Sequence, residues 1–257
     1  MPVEEYSGSG DPQRTIELLW GVAFGKRARR GPKPRLSLDD VTGAAMELAD
    51  RDGLTGLSMR RVADELGLTA MSLYSYVPSK AELLDIMLDR VYGEFPTHCE
   101  HTDDWRANLA HIARENWALH MRHPWLLQVA TSRPLLGPNL TAKYDYELRA
   151  IAHLGLTDIE MDLLVSFIND YVHGAVRRAV DAAQAPTRTG LTDQQWWQQF
   201  GPLLAEVVDP EQYPTAIRVG TTAGAEYGAA HDPSRSFEFG LDRVLDGIGN
   251  YIATAQT

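Results

Sequence analysis

From residue 37 almost to the end of the chain, apolar residues recur at three- and four-residue steps, and no stretch sustains the alternate-residue pattern of a strand. That period gives each segment one apolar stripe, which only other helices can cover, so the expected fold class is all-α. The punctuation agrees. Ser37 with Asp40 is a capping-box pair opening a first helix that carries Val41, Ala44, Ala45 and Leu48 and stops near Gly53. A second helix follows Ser58 to about Leu66, where Gly67 supplies the left-handed residue of a tight turn. Thr69 caps a third, of about eight residues, ending at Pro78, and Ser79-Lys80-Ala81-Glu82 is a full capping box opening a fourth toward Tyr92. Further helices are expected at about 104–122, 125–131, 139–154, 158–183, 193–208 and 234–254, with 184–192 and 209–233 as loops. This divides the chain into an extension (1–35), a small helical domain (36–92) and a larger one (93–257).

The chain has 257 residues, one cysteine and a net charge of −11. No run approaches the ~20 apolar residues of a membrane span, and the segment from Ile16 to Phe24 carries Glu17 and lacks a cleavage site, so the expectation is a soluble cytoplasmic protein without an export signal. A lone Cys99 excludes a disulfide framework and a cysteine zinc cluster. Neither a metal nor a cofactor is expected, since the chain holds no phosphate loop, no Gly-x-Gly-x-x-Gly and no Gly-x-Ser-x-Gly.

An acidic total argues against a nucleic-acid partner, but the charge is unevenly spread. Lys26, Arg27, Arg29, Arg30, Lys33 and Arg35 stand together without an acid, and Gly31-Pro32-Lys33-Pro34 favours an extended path. The run reads either as a solvated linker or as a basic arm.

Residues 58–77 decide between them. Two short helices crossing sharply need a small residue at the crossing, a turn residue tolerant of positive φ and an apolar frame, and Ala63, Gly67 and Val62, Leu66, Leu68, Leu73 and Val77 supply these in helix-turn-helix order. The stretch Leu73-Tyr74-Ser75-Tyr76-Val77-Pro78-Ser79-Lys80-Ala81-Glu82-Leu83-Leu84, with Ser58 to Ala63 and Ala44-Ala45 before it, resembles the Tet-repressor-like transcriptional regulators of bacteria, over about Leu38 to Tyr92. The long N-terminal extension resembles that of a subset of the family with basic arms.

The resemblance implies a three-helix DNA-binding domain joined to a helical ligand-binding and dimerisation domain. It places Thr69, Ala70, Met71, Ser72 and Ser75 in the major groove with Arg60 beside them, and Tyr74, Tyr76 and Lys80 on phosphates. Chemistry agrees: Arg60 can pair bidentately with guanine, Ala70 and Met71 suit thymine methyls, and Lys80 sits at a helix N-terminus that favours an anion. Core packing is the alternative for both tyrosines. With a helix-turn-helix behind it, the arm (Arg27, Arg29, Arg30, Lys33, Arg35) suits a minor groove.

In the larger domain, Trp117, His120, Met121, Trp125, Phe167, Asp170, Tyr171, His173 and Trp197 combine aromatic walls with a few polar groups, as either a small-molecule pocket or an ordinary core does. Reading a palindrome requires a dimer, and by resemblance Ile168, Val172, Ala175, Leu241, Val244, Leu245 and Ile248 are candidates for its interface, with intrachain packing as the alternative. The expectation is a homodimeric repressor on a palindromic operator in double-stranded DNA, released by a small-molecule effector, with no membrane partner. An activator of the same fold, or a helical enzyme or carrier with vestigial DNA binding, is the rival; Asp170 with His173 is the one tempting acid/base pair.

Overall fold

The computed structural model describes residues 5–22, 36–130 and 133–255. Among them the order is β1 (Glu5–Tyr6), α1 (Pro12–Trp20), α2 (Leu38–Gly56), α3 (Met59–Glu65), α4 (Ala70–Leu73), α5 (Lys80–Tyr92), α6 (Trp105–Arg122), a 3-10 turn (Pro124–Gln128), β2 (Val129–Ala130), α7 (Pro138–Arg149), a second 3-10 turn (Ala152–Leu154), α8 (Asp158–Thr189), α9 (Asp193–Val207), α10 (Pro214–Tyr227) and α11 (Pro233–Ala255). The fold is all-α apart from the two-residue parallel pair β1–β2.

Two cores hold it together. In the first, Val41, Leu48, Val62, Leu73, Leu84 and Met87 from α2 to α5 are joined by Leu119, Trp125, Leu126 and Leu135 from beyond residue 92. In the second, Leu109 and Ile112 of α6 and Tyr146 of α7 pack with Ile168 and Val172 of α8 and Leu241, Leu245 and Ile248 of α11. The N-terminal core is therefore finished by residues of the larger half. Asp50 at the end of α2 reinforces the junction, accepting from Trp125 Nε1 at 2.7 Å and lying 2.8 Å from His123 Nδ1.

Residues 5–22 form a strap over α5 that sequence periodicity did not suggest. Asp11 caps α1 by accepting from Arg14 N (2.9 Å), Pro12 occupies the first turn, and Gly21 ends the helix at φ 62°. Leu18 and Leu19 pack on the first core, and Trp20 Nε1 donates to Leu136 O at 2.8 Å. The carboxylates of α5 hold the rest: Asp85 Oδ1 accepts from Gly8 N (2.9 Å) and Glu82 Oε1 from Asp11 N (3.1 Å). Glu82 also meets the Ser79 hydroxyl, so it serves both its own helix start and the strap. The cations Arg27, Arg29, Arg30, Lys33 and Arg35 lie outside the described residues.

Asp85 is fully buried, and its Oδ2 has no hydrogen-bond partner among the described residues. Burial holds its pKa above the usual 3.8, so the folded state takes up a proton before the unfolded chain does. The ionised carboxyl therefore costs stability at neutral pH, and the cost is relieved as pH falls through the raised value. Asp85→Asn keeps an acceptor for Gly8 and is expected to stabilise the protein by about 1 kcal/mol at pH 7. The gain should shrink toward about pH 4, read by urea denaturation at both pH values; a loss at pH 7 contradicts this account.

Several boundaries differ from the sequence expectation. Helix continues through 184–189 to left-handed Gly190, with Pro186 inside the last turn of α8 at the cost of one backbone hydrogen bond. Expected loop 209–233 contains α10, whose Gly220 and Gly224 dilute the apolar period. Expected helix 125–131 is instead a 3-10 turn passing into β2, where pairing with β1 replaces helical hydrogen bonds. Helix α4 covers only Ala70–Leu73, with hydrogen-bonded turns carrying the chain to Val77.

Candidate nucleic-acid interface and effector cavity

Helix α4 is short but fixed from both sides. Thr69 Oγ1 accepts from Ser72 N (3.2 Å) at its start. Leu68 N donates to Ala63 O (2.8 Å) across the turn at Gly67, whose φ of 63° an L side chain rarely adopts. Inward-facing Val62, Ala63, Leu73 and Val77 are fully buried, which sets α4 against α2 and α3. What remains outside is one face: Met71 is 79% exposed, Ser72, Tyr74 and Ser75 are exposed, and Thr69 and Ala70 border them. On α3 the Arg60 side chain is 87% exposed, its ion-pair contact being Asp64 at 4.0 Å. Arg61, by contrast, is spent on Asp52 (2.5 Å) and Gly56 O (2.7 Å).

The two tyrosines part company. Tyr74 is exposed, while Tyr76 is half-buried against the first core. Lys80 is half-buried in the first turn of α5.

In the larger half a cavity of about 300 Å³ lies where α5, α7 and α8 meet. Leu88, Tyr92, Leu135, Leu140, Asn169 and Asp170 line it, and Ser7 of the strap forms part of its wall. Of the nine expected ligand residues, only Asp170 belongs to it. His173 borders a wider, open cleft of about 1340 Å³ between the end of α2 and α8. Trp117, Phe237 and Tyr171 form a stack within the second core, at 4.3 Å and 5.9 Å between centroids. His120 meets His173 edge to face at 5.7 Å, and burial lowers its pKa to about 4, leaving it neutral at pH 7. Met121 is half-buried at the end of α6.

Three of the nine also have other contacts, Trp125 being a second residue that borders the open cleft. Trp125 is 1% exposed, and its indole N–H is committed to Asp50, so it pins the two halves together. Phe167 lies on the outer face of α8, 50% exposed, because Ile168 and Val165 already take the inner positions. Trp197 packs on α10, where a side chain at Gly224 would come within 2.7 Å of the indole.

The expected dimer residues pack within the chain. Ile168, Val172, Leu241, Leu245 and Ile248 are each 1% exposed in the chain's own core, with Ala175 and Val244 packed against them. The densest apolar stripe of α8 and α11 is thus consumed internally. A second stripe faces outward, with Ile159, Leu163 and Phe167 spaced four apart on α8 at 70%, 60% and 50% exposure, and Phe239 on α11 at 66%.

Sequence reasoning also missed Lys143 and Glu147, which with Asn116 of α6 form a buried polar network. The spacing of four between Lys143 and Glu147 on α7 was the available signal.

Comparison with known proteins gives a consistent picture. Residues 41–87 match the model of bacterial regulatory proteins of the tetR family, and residues 97–252 that of the tetracyclin repressor-like C-terminal domain. The chain is 47% identical to the HTH-type transcriptional repressor DrrR1 of Streptomyces coeruleorubidus, over 97% of this chain and 90% of that protein. In fold it is similar to apo ActR from Streptomyces coelicolor (TM-score 0.71, 24% identity, 87% of this chain and 100% of that one). It is similar also to ActR in complex with actinorhodin (TM-score 0.69, 24% identity, 85% and 99%).

Proposed function

The chain belongs to the TetR family of bacterial regulatory proteins, and from that premise we propose that it is a dimeric repressor whose α4 reads a palindromic operator and whose hold on DNA is released by a small molecule bound between α5, α7 and α8. The observation that carries the DNA reading is the solvent-facing surface of α4. Leu73 locks the inner side of this four-residue helix in the core, while its outer face, with Met71 79% exposed, packs on nothing among the described residues.

In this reading Met71 and Ala70 contact base methyls, Arg60 pairs with guanine, and Thr69, Ser72 and Ser75 complete the face. Tyr74 and Lys80 contact phosphates, with Tyr76 contributing its hydroxyl from a half-packed ring. The cations between Arg27 and Arg35 add contacts along the backbone or the minor groove. The helices assigned to the dimer are still α8 and α11, but through the outward stripe of Ile159, Leu163, Phe167 and Phe239. Among the described residues no helix is long and apolar enough to cross a membrane, and we place the protein in the cytoplasm with the DNA it binds.

The effector reading rests on the position of the cavity. It touches α5, which begins directly after the helix-turn-helix, so a ligand that fits better when α5 shifts must weaken DNA binding by the same factor as DNA weakens the ligand. DNA selected from a random pool by the wild-type protein provides the operator for a test. Arg60→Ala is expected to lower affinity for that DNA about tenfold and to relax the preference at one base position. Equal loss on selected and random DNA assigns Arg60 to phosphate instead.

A further inference from the structure

Residues 5–11 close one side of the cavity without burying an apolar side chain of their own. Ser7, 4% exposed, is the part of the wall that comes from outside α5, α7, α8 and the segment leading into α7. Its neighbours are Glu5, Tyr6, Gly8, Ser9, Gly10 and Asp11, of which only Tyr6 carries a large apolar side chain, and that one is 54% exposed. The attachments are polar: Ser7 N donates to Ala130 O at 3.3 Å, the Ser7 hydroxyl to Arg133 O at 3.1 Å, Gly8 N to Asp85 and Asp11 N to Glu82. Helix α1 differs, because Leu18 and Leu19 anchor it on the first core. A segment held by hydrogen bonds without buried apolar contacts belongs to the least stable part of a fold, so residues 5–11 can leave while α1 stays.

Asp85 biases that equilibrium. With the segment seated, the carboxyl is fully buried, Oδ1 holds Gly8 N and Oδ2 meets no donor among the described residues. With the segment lifted, both oxygens reach water, so the closed state alone bears the cost of the unmet oxygen. The cavity has a second boundary with solvent on α8, where Ser166 and Asp170 are exposed in the single chain. Those two residues flank Phe167 and follow Leu163 by three and seven positions, so they share the helix face assigned above to the dimer. Association of two subunits narrows that side and leaves the strap side free.

We propose that residues 5–11 are the gate of this cavity: they swing away from α5 about their junction with α1, take Ser7 out of the wall and admit a small molecule, and the unmet oxygen of Asp85 keeps the closed gate labile. This deepens the effector reading and rests on it for what passes through the gate. Two substitutions move the gate in opposite directions. Asp85→Asn keeps an acceptor for Gly8 and removes the buried ionisable group, so the gate holds more firmly. Gly10→Ala brings a Cβ to 2.9 Å from Cδ of Glu82, which cannot give way without loosening its bonds to Asp11 N and the Ser79 hydroxyl, so the gate loosens.

The test needs no effector. In full-length protein carrying Cys99→Ser, which removes the exposed thiol, Leu88→Cys places a thiol on the cavity wall, and its modification by methyl methanethiosulfonate reports entry. At pH 7, Gly10→Ala is expected to raise the rate about tenfold and Asp85→Asn to lower it about fivefold. Urea below the unfolding transition should leave the rate nearly unchanged, because opening the gate exposes little surface. Rates that neither substitution changes place the entrance at α8 and overturn the proposal. Hydrogen exchange of protein without the introduced thiol is the second measurement. The amides of Ser7, Gly8 and Asp11 should exchange together, about tenfold or more faster than those of Leu18 and Leu19, and more slowly in Asp85→Asn. Exchange of both groups at one rate means that the strap opens only as a whole, and overturns the proposal. Neither readout involves DNA, so the gate can fail while a small molecule still releases the operator, and it can stand where none does.

Discussion

Glu147→Leu on its own is expected to lower stability by about 3–5 kcal/mol, because it removes the counter-ion of a buried ammonium. Lys143 is 4% exposed, and its other neighbours are aromatic faces, which cannot replace a carboxylate. Asn116 and Asn169 lose an acceptor at the same time, although Asn116 retains Ile112 O at 3.0 Å. Adding Lys143→Met should restore most of the loss, since the two apolar side chains can pack where the ions were. Urea denaturation of the two single variants and the double variant gives the coupling directly. A single variant within about 1 kcal/mol of wild type would show that water reaches the ammonium.

Asp89→Ala should be nearly as damaging, at about 2–3 kcal/mol, for a different reason. Helix α7 begins at Gly137, which has no side chain with which to cap it. Asp89 on α5 does so from outside, accepting from Asn139 N and Leu140 N, both at 3.1 Å, and from Asn139 Nδ2 at 2.9 Å. The glycine is required by this arrangement, since a Cβ there would lie 2.1 Å from Asp89 Oδ1. Gly137 already has the extended φ and ψ of −95° and 161° that an N-cap needs. In the Asp89→Ala background, Gly137→Ser should therefore recover about 1 kcal/mol, while in the wild-type background it should destabilise. Denaturation of the four proteins, with amide exchange in α7 as the local readout, checks both signs.

These two sites also show where sequence reasoning stops. The helix-turn-helix was legible because its cap, turn and frame lie within twenty residues, and Thr69, Gly67 and Leu73 act on neighbours a few positions away. The expected Ser37–Asp40 capping box is formed for the same reason. Asp89 capping a helix fifty residues later leaves no local trace, and Lys143 and Glu147 look like an ordinary surface pair until α5, α6 and α8 close around them. Which stripe of α8 packs inside the chain was not legible, because α8 is apolar on two sides and periodicity does not tell which side its own chain will cover. Asp11-Pro12 and Gly21 mark both ends of α1, but a helix of 9 residues is too short for the apolar period to stand out.

The pairing of β1 with β2 sets an order of events for a chain still being made. Ser7 bonds to Ala130 at a sequence separation of 123, so this segment finds its place only after residue 130 has emerged from the ribosome. Until then the carboxylates of α5 stand uncovered in water, and the helix-turn-helix must assemble without the strap. Residues 5–22 are thus synthesised well before the segment that seats them.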